Sequence, residues 1–297
     1  MAARMKKVLD SLYCVDTTPK EITGFTSAYI LVSQENRAVI VEPGPSRGAG
    51  DLMEAIERLG VDPVYVVPTH VHLDHAGATA KLLERFPGAK VLVHPKGVPH
   101  LVEPEKLWIR TKLALGDFAE YIGAADPAPS ERVLATEDGQ RVVLDDLELV
   151  VLHTPGHASH HQVVWWPSRR VVFPGDAVNM VFKHVEVHVP ATPPPFKRDP
   201  YLRSFQRVKK LNPEVLALTH FGVHASAQRL LDKLEEQLKL WLKTVEEEVL
   251  QGVKEVDAVY EKIAEVDHNA AQAEGYIRAL AKLSVKGMIQ DLLGGHG

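Results

Sequence analysis

Residues 69–75 read Thr69-His70-Val71-His72-Leu73-Asp74-His75 and place four metal-competent side chains within six residues. The stretch follows an apolar run, Val64–Val67, with the valine and tyrosine content of a strand. Pro68 ends the run, so His70 through His75 are expected on a loop, with Ala76-Gly77-Ala78 opening a helix beyond it. Imidazole and carboxylate are ligands that borderline divalent metals favour. His70 and His72 are spaced i, i+2, whereas Asp74 and His75 are placed to reach a second point.

Three further polar residues repeat this arrangement downstream. His157 ends the stretch His153-Thr154-Pro155-Gly156-His157, just after the apolar run Leu147–Leu152. Asp176 follows Val171–Phe173 through Pro174-Gly175, and His220 follows Val215–Leu218. Open sheets gather ligand groups at one set of strand ends, where loops converge. His70, His72, Asp74, His75, His157, Asp176 and His220 are therefore expected to meet. Seven ligands exceed one tetrahedral metal and suit two metals with a shared carboxylate.

This pattern resembles the metallo-β-lactamase superfamily of metallohydrolases over about residues 20 to 224. Its H-x-H-x-D-H motif is matched by His70-Val71-His72-Leu73-Asp74-His75, and the later single ligands match in order: His157, Asp176 and His220. The resemblance implies an α/β fold, an αββα sandwich with metals at one edge. It implies that His70, His72 and His157 hold the first metal, that Asp74, His75 and His220 hold the second, and that Asp176 bridges. Exported zinc β-lactamases of the best-known branch carry Cys where this chain has Asp176, so antibiotic hydrolysis is not the expected task. The pattern is nearer the glyoxalase II, lactonase and phosphodiesterase relatives.

The expected activity is a dinuclear metal-dependent hydrolysis of small ester-like bonds: thioester, lactone, ester or phosphodiester. A water bound to such metals loses a proton near neutral pH and serves as a bridging hydroxide nucleophile. Asp74 would orient that hydroxide, and no protein nucleophile is needed; Ser159 and Cys14 receive no catalytic role. The two cofactor ions are divalent, drawn from Zn, Fe, Mn, Co or Ni. Three readings compete. Some relatives of glyoxalase II keep one iron and oxidise glutathione persulfide with dioxygen. A nuclease is disfavoured because only 44 positions separate Asp176 from His220, too few for the inserted domain of the nucleic-acid-cleaving branch, and because the chain is acidic. A non-enzymatic module would use the metals only to staple its fold.

The rest of the chain frames this site. Its 297 residues are 45% hydrophobic and 25% charged, ordinary for a globular protein with a large core. Formal net charge is −5, and one cysteine excludes an internal disulfide scaffold. There are 15 histidines, a large share for this length. No apolar run approaches the ~18 residues that span a bilayer, and residues 1–10 lack the apolar segment of a secretory leader. The expectation is a cytoplasmic protein with a small-molecule substrate, no membrane partner and no nucleic-acid partner.

Strand candidates are Thr26–Val32, Ala38–Glu42, Val64–Val67, Lys90–Val93, Leu147–His153, Gln162–Trp166, Arg170–Phe173 and Glu214–Thr219. Helix candidates are Asp51–Leu59, stopped by Pro63, then Ala78–Phe86, Lys106–Tyr121 and Pro200–Leu211. Residues 1–224 read as the catalytic domain and 225–297 as a helical appendage. In the appendage, Leu230, Leu234, Leu238, Trp241, Val245 and Val249 recur at helical spacing over Ser226–Leu250, and further helices are expected near Asp257–Val266 and Ala270–Leu293. The appendage carries 9 basic and 13 acidic residues, a net of −4, and is expected to cap the site or form a homodimer.

Weaker candidates remain. His160 and His161 are placed to support ligands through hydrogen bonds. His184, His188 and His224 are candidate proton donors. Phe196, Lys197 and Arg198, at the end of a proline-rich loop expected to be a stiff surface connection, are candidate substrate contacts, and Lys183 is a candidate anion attractor. Trp165 and Trp166 are expected in the core.

Overall fold

The computed structural model describes residues 4–22, 24–182 and 184–294. The first sheet holds seven strands in chain order: β1 (Met5–Leu9), β2 (Leu12–Asp16), β3 (Ser27–Val32), β4 (Arg37–Val41), β5 (Asp62–Val67), β6 (Lys90–Val93) and β7 (Val133–Ala135). Pairing is antiparallel through β4 and parallel from β4 to β7. The helices α1 (Ala49–Leu59), α2 (Leu73–Ala76), α3 (Thr79–Arg85), α4 (Val98–Val102), α5 (Glu105–Leu115) and α6 (Phe118–Ile122) lie between these strands in sequence.

The second sheet contains β8 (Gln140–Leu144), β9 (Leu147–His153), β10 (Gln162–Trp166), β11 (Val171–Phe173), β14 (Val215–Leu218) and β15 (Gly222–His224). A separate hairpin, β12 (Met180–Phe182) and β13 (Val187–Val189), and helix α7 (Arg198–Lys210) fall between β11 and β14 in sequence. The last part of the chain is helical: α8 (Ala227–Leu250), α9 (Val256–Val266), α10 (His268–Gln272) and α11 (Gly275–Leu292).

Alternation along the strands explains the layering. In β3, Tyr29 and Leu31 enter the core between the sheets, while Ala28 and Ile30 face the outer, helix-covered core. Val39 and Val41 of β4, Leu147, Leu149 and Val151 of β9, and Val164 and Trp166 of β10 fill the inter-sheet layer. The outer layers include Leu52, Ala55 and Ile56 of α1 and Tyr201, Phe205 and Val208 of α7. The αββα sandwich expected from the sequence is the observed fold.

All eight strand candidates are present, with bounds shifted by no more than two residues. The strands without a candidate are short or polar: β1 and β2 are interrupted by Asp10 and Ser11, β8 alternates with exposed Arg141 and Val143, and β7, β12, β13 and β15 span three residues each. Four helix readings need correction. The α1 helix ends at Leu59 on Gly60 (φ 64°), a left-handed cap, and Pro63 lies inside β5 rather than stopping the helix. Lys106–Tyr121 is two helices, because Gly116 (φ 54°) turns the chain. The helix predicted from Pro200 begins at Arg198. Ala270–Leu293 is also two, parted at Ala273 and Glu274 by extended backbone.

The amphipathic pattern of α8 is used within the chain. Leu231, Leu234, Leu238, Trp241 and Val245 are buried in the outer core, together with Tyr260 and Ile263 of α9 and Ile277, Ala281 and Val285 of α11. Each buried Leu, Ile or Val among them contributes about 1.5–3 kcal/mol. Among the described residues no helix is long and apolar enough to cross a membrane.

Candidate metal centre

Strand direction brings the seven residues together. β9 and β11 are each antiparallel to β10, and β14 is parallel to β11, so β9, β11 and β14 point the same way. His157, Asp176 and His220 each follow the carboxyl end of one of these strands. β5 delivers His70 to the same edge, where the two sheets are joined: Gln162 donates its backbone N–H to Thr69 O (2.8 Å) and its side-chain amide to Pro68 O (3.0 Å) and Leu92 O (3.1 Å). The loop reading of the motif holds for His70 and His72, but Asp74 and His75 ride on the one-turn helix α2.

Three overlapping groups of ligand atoms form, each within 4.8 Å: His70, His72 and His157; His70, His75 and Asp176; and Asp74, His75 and His220. His72 Nδ1 lies 2.9 Å from His70 Nε2 and 3.0 Å from His157 Nε2. Asp176 stands between the outer groups. Its Oδ2 is 3.4 Å from His157 Nε2 and 3.6 Å from His75 Nε2, while Oδ1 is 3.8 Å from His220 Nε2. Asp74 Oδ2 is 3.5 Å from His220 Nε2 and 3.6 Å from His75 Nε2.

In four of the five rings the nitrogen that faces away from the centre is anchored. His157 Nδ1 meets Ala191 O at 2.9 Å, His220 Nδ1 meets Phe25 O at 2.7 Å, and His70 Nδ1 meets Thr69 Oγ1 at 3.1 Å. His75 Nδ1 is paired with the Glu42 carboxylate. A ring that donates from one nitrogen presents a lone pair at the other, the arrangement of a metal-binding histidine. Glu42 had no place in the sequence reading. Its signal there is slight, a lone carboxylate after the apolar strand 37–41. Fully buried, it also accepts hydrogen bonds from Thr69 N (2.5 Å) and Thr219 Oγ1 (2.8 Å).

The electrostatics suit cations. Burial, reinforced by neighbouring imidazoles, holds His70 and His72 well below the usual imidazole range, and burial lowers His157. These three rings are thus neutral donors at neutral pH. Burial would also push His75 down, but the carboxylates of Glu42, Asp176 and Asp74 together hold it well above its ordinary value. Burial opposes ionisation of Asp176, yet His75 and His157 keep its carboxyl well below the usual range. His75 Nε2 and His220 Nε2 are buried without a hydrogen-bond partner. Two orphaned nitrogens beside two carboxylates fit divalent metal ions, whose charge and open coordination would satisfy both.

The supporting residues divide sharply. His161 is buried, contacts Thr154 Oγ1 at 2.8 Å through Nδ1 and accepts the Asp176 backbone N–H at 3.0 Å through Nε2, a supporting hydrogen bond. His160 stacks on His70 at 6.2 Å between centroids and meets His72 edge-on at 5.7 Å. The weaker candidates are placed elsewhere. His188 lies on β13 against α8 and α10, with its backbone bonded to Asn269 and Gln237. His224 is on β15 beside the start of α8, and His184 is in an exposed turn over Gly24. Lys197 lies 3.8 Å from Asp291 and Arg198 3.0 Å from Glu246, so both are braced against the C-terminal helices. Phe196 is buried against Tyr201 (5.4 Å), not at a ligand. The proline-rich loop is likewise no surface connection, since Val189, Ala191 and Thr192 are fully buried. Lys183 lies outside the described residues. Trp166 is in the core and Trp165 packs half-buried on it, as expected.

Gly156 is where the His157 loop meets α7. Its φ of +140° strains an L side chain, and a β-carbon there would overlap the Tyr201 backbone. Gly156→Ala is expected to displace this loop and lower metal affinity at least ~10-fold by moving a ligand from its set geometry. Metal titration of the variant checks this.

The model of the metallo-β-lactamase superfamily matches residues 22–220. The chain belongs to that superfamily. A metallo-β-lactamase fold-containing protein of Sulfurisphaera tokodaii is 27% identical, over 83% of this chain and 94% of its own. A hydroxyacylglutathione hydrolase of Aeromonas salmonicida is 27% identical over 56% of this chain, which spans about half (51%) of that enzyme. Among solved structures, a metallo-β-lactamase family protein from Thermus thermophilus superposes with a TM-score of 0.68 at 22% identity, covering 98% of this chain and 96% of its own. That likeness is one of fold. Metallo-β-lactamase superfamily proteins are generally metal-dependent hydrolases, and the His/Asp cluster described above is where this member could hold metal.

Proposed function

We propose that the protein is a dinuclear metal-dependent hydrolase of small ester-like substrates: thioesters, lactones, esters or phosphodiesters. One observation carries this reading: two three-residue ligand groups flank Asp176, whose carboxylate lies within 3.8 Å of His157 on one side and of His75 and His220 on the other. In this reading His70, His72 and His157 hold one ion, Asp74, His75 and His220 the other, and Asp176 lies between. When bound, two divalent cations acidify water to give a nucleophile at neutral pH and polarise the scissile group.

The protein's own residues do the rest. Asp74 lies at the partly exposed rim with Oδ2 turned to His75 and His220, which leaves Oδ1 to accept a hydrogen bond from the attacking water. Glu42, Ala191 O and Phe25 O hold His75, His157 and His220 in the tautomer that aims Nε2 inward. Cys14 is not a competing nucleophile, because burial pushes its thiol up to about 11. The hydroxyacylglutathione hydrolase relatives favour the thioester end of the substrate range.

The test is a panel of thioester, lactone, ester and phosphodiester substrates against protein loaded in turn with Zn, Fe, Mn, Co and Ni, with metal counted per chain. Hydrolysis at two metals per chain supports the proposal. One iron per chain with oxygen uptake on a persulfide overturns it.

A further inference from the structure

Of the three imidazoles in the His70–His72–His157 group, His157 is tethered most remotely in sequence. Its Nδ1–H donates to Ala191 O, and the adjacent Gly156 O accepts Lys197 N–H at 2.9 Å. One segment, Ala191–Lys197, thus clasps the ligand loop at two points. That segment has little structure of its own, because Pro193, Pro194 and Pro195 have no N–H to donate. Its position is set from outside.

The outside support is α11. Ser284 Oγ donates to Pro190 O at 2.5 Å, and Thr192 Oγ1 donates to Ser284 O at 3.1 Å. One turn on, Gly287 lets the Thr192 carbonyl rest against the helix; a β-carbon there would overlap Thr192 O and Pro193. A further turn on, Asp291 Oδ2 accepts Arg198 N–H at 3.3 Å and Oδ1 lies 3.8 Å from Lys197 Nζ. Ser284, Gly287 and Asp291 are spaced i, i+3 and i+7, which puts them on one helix face. That face grips both ends of the segment. His70 is anchored instead by its neighbour Thr69.

We propose that Ser284, Gly287 and Asp291 are positioning residues for His157, so that metal affinity at the His70–His72–His157 group depends on the C-terminal helix. This rests on the reading that the group holds a metal. The physical path is short. A shift of α11 carries the proline segment, the Ala191 carbonyl moves, and the His157 ring loses the hydrogen bond that sets its tautomer and aim.

The experiment uses the full-length chain loaded with zinc, as parent, Ser284→Ala and Gly287→Ala. Zinc is titrated off with a competing chelator, and exchange of the His157 Nδ1–H proton is followed by NMR. Both variants are expected to lose 10–100-fold in affinity at one site, with the other within about two-fold, and to exchange that proton at least ~10-fold faster. Ser284→Ala removes one hydroxyl and keeps the test valid if Gly287→Ala does not fold. Parent-like affinity and exchange in Ser284→Ala overturn the proposal, as does equal loss at both sites. Should the parent bind no zinc, the hydrolase reading fails, while proton exchange in the same variants still decides whether α11 positions His157.

Discussion

His72→Ala is expected to cut hydrolytic turnover at least ~1000-fold while the fold persists. His72 Nδ1 is the atom that both His70 Nε2 and His157 Nε2 approach most closely, so its removal opens the first ligand group at its centre. The metal's share of transition-state stabilisation is several kcal/mol, and each 1.36 kcal/mol is tenfold in rate, which sets the magnitude at about three decades. Stability should change little. The residue precedes α2 with φ −59° and ψ 147°, a conformation alanine adopts freely, and its side chain makes no capping hydrogen bond. Metal content should fall by one equivalent per chain, and the metal-free melting temperature should move by no more than about 4 °C, the shift for roughly 1 kcal/mol. Parent-like turnover in this variant would rule out the assigned ligand set.

The candidate ligands were legible because they are local in the sequence. Four of seven lie within six residues, and the other three each follow an apolar run that reads as a strand. Apart from His161, which donates no ligand atom but accepts the Asp176 N–H, the groups that support them through tertiary contact could not be read. Ala191 acts through its backbone carbonyl, as does Phe25, so neither side chain carries a signal. Lys197 and Arg198 read as substrate-seeking charges because their partners, Asp291 and Glu246, lie 94 and 48 residues away in helices whose docking the sequence does not specify. The same blindness affected the proline-rich segment. Prolines suggest exposure, but Gly287 and Ser284 bury its first half beneath α11. Two of the helix readings ran through a break in the backbone, at Gly116 and at Ala273–Glu274, because the apolar pattern continues across it.

Glu42 illustrates the gap most fully, and it yields a pair of outcomes that separate stability from metal binding. Its buried carboxylate takes the Thr69 N–H, the Thr219 hydroxyl and the His75 ring. Glu42→Ala orphans these donors, at about 1–3 kcal/mol each when buried, and should cost about 3–5 kcal/mol in all, the range for breaking a buried ion pair. The melting temperature of the metal-free chain should then drop by roughly 10 °C. Glu42→Gln keeps the shape and one acceptor oxygen, so the stability loss should be smaller. Its amide, however, presents N–H to His75 Nδ1, which can face that donor only as an acceptor. The ring proton must then move to Nε2, the nitrogen aimed at Asp74 and Asp176, where a proton excludes a metal. Glu42→Gln is therefore expected to bind metal at the Asp74–His75–His220 group 10–100-fold more weakly while melting closer to the parent than Glu42→Ala does. Calorimetric metal titration beside thermal melts of both variants checks this. Parent-like metal affinity in Glu42→Gln would mean that the carboxylate braces the strand end without setting the His75 tautomer.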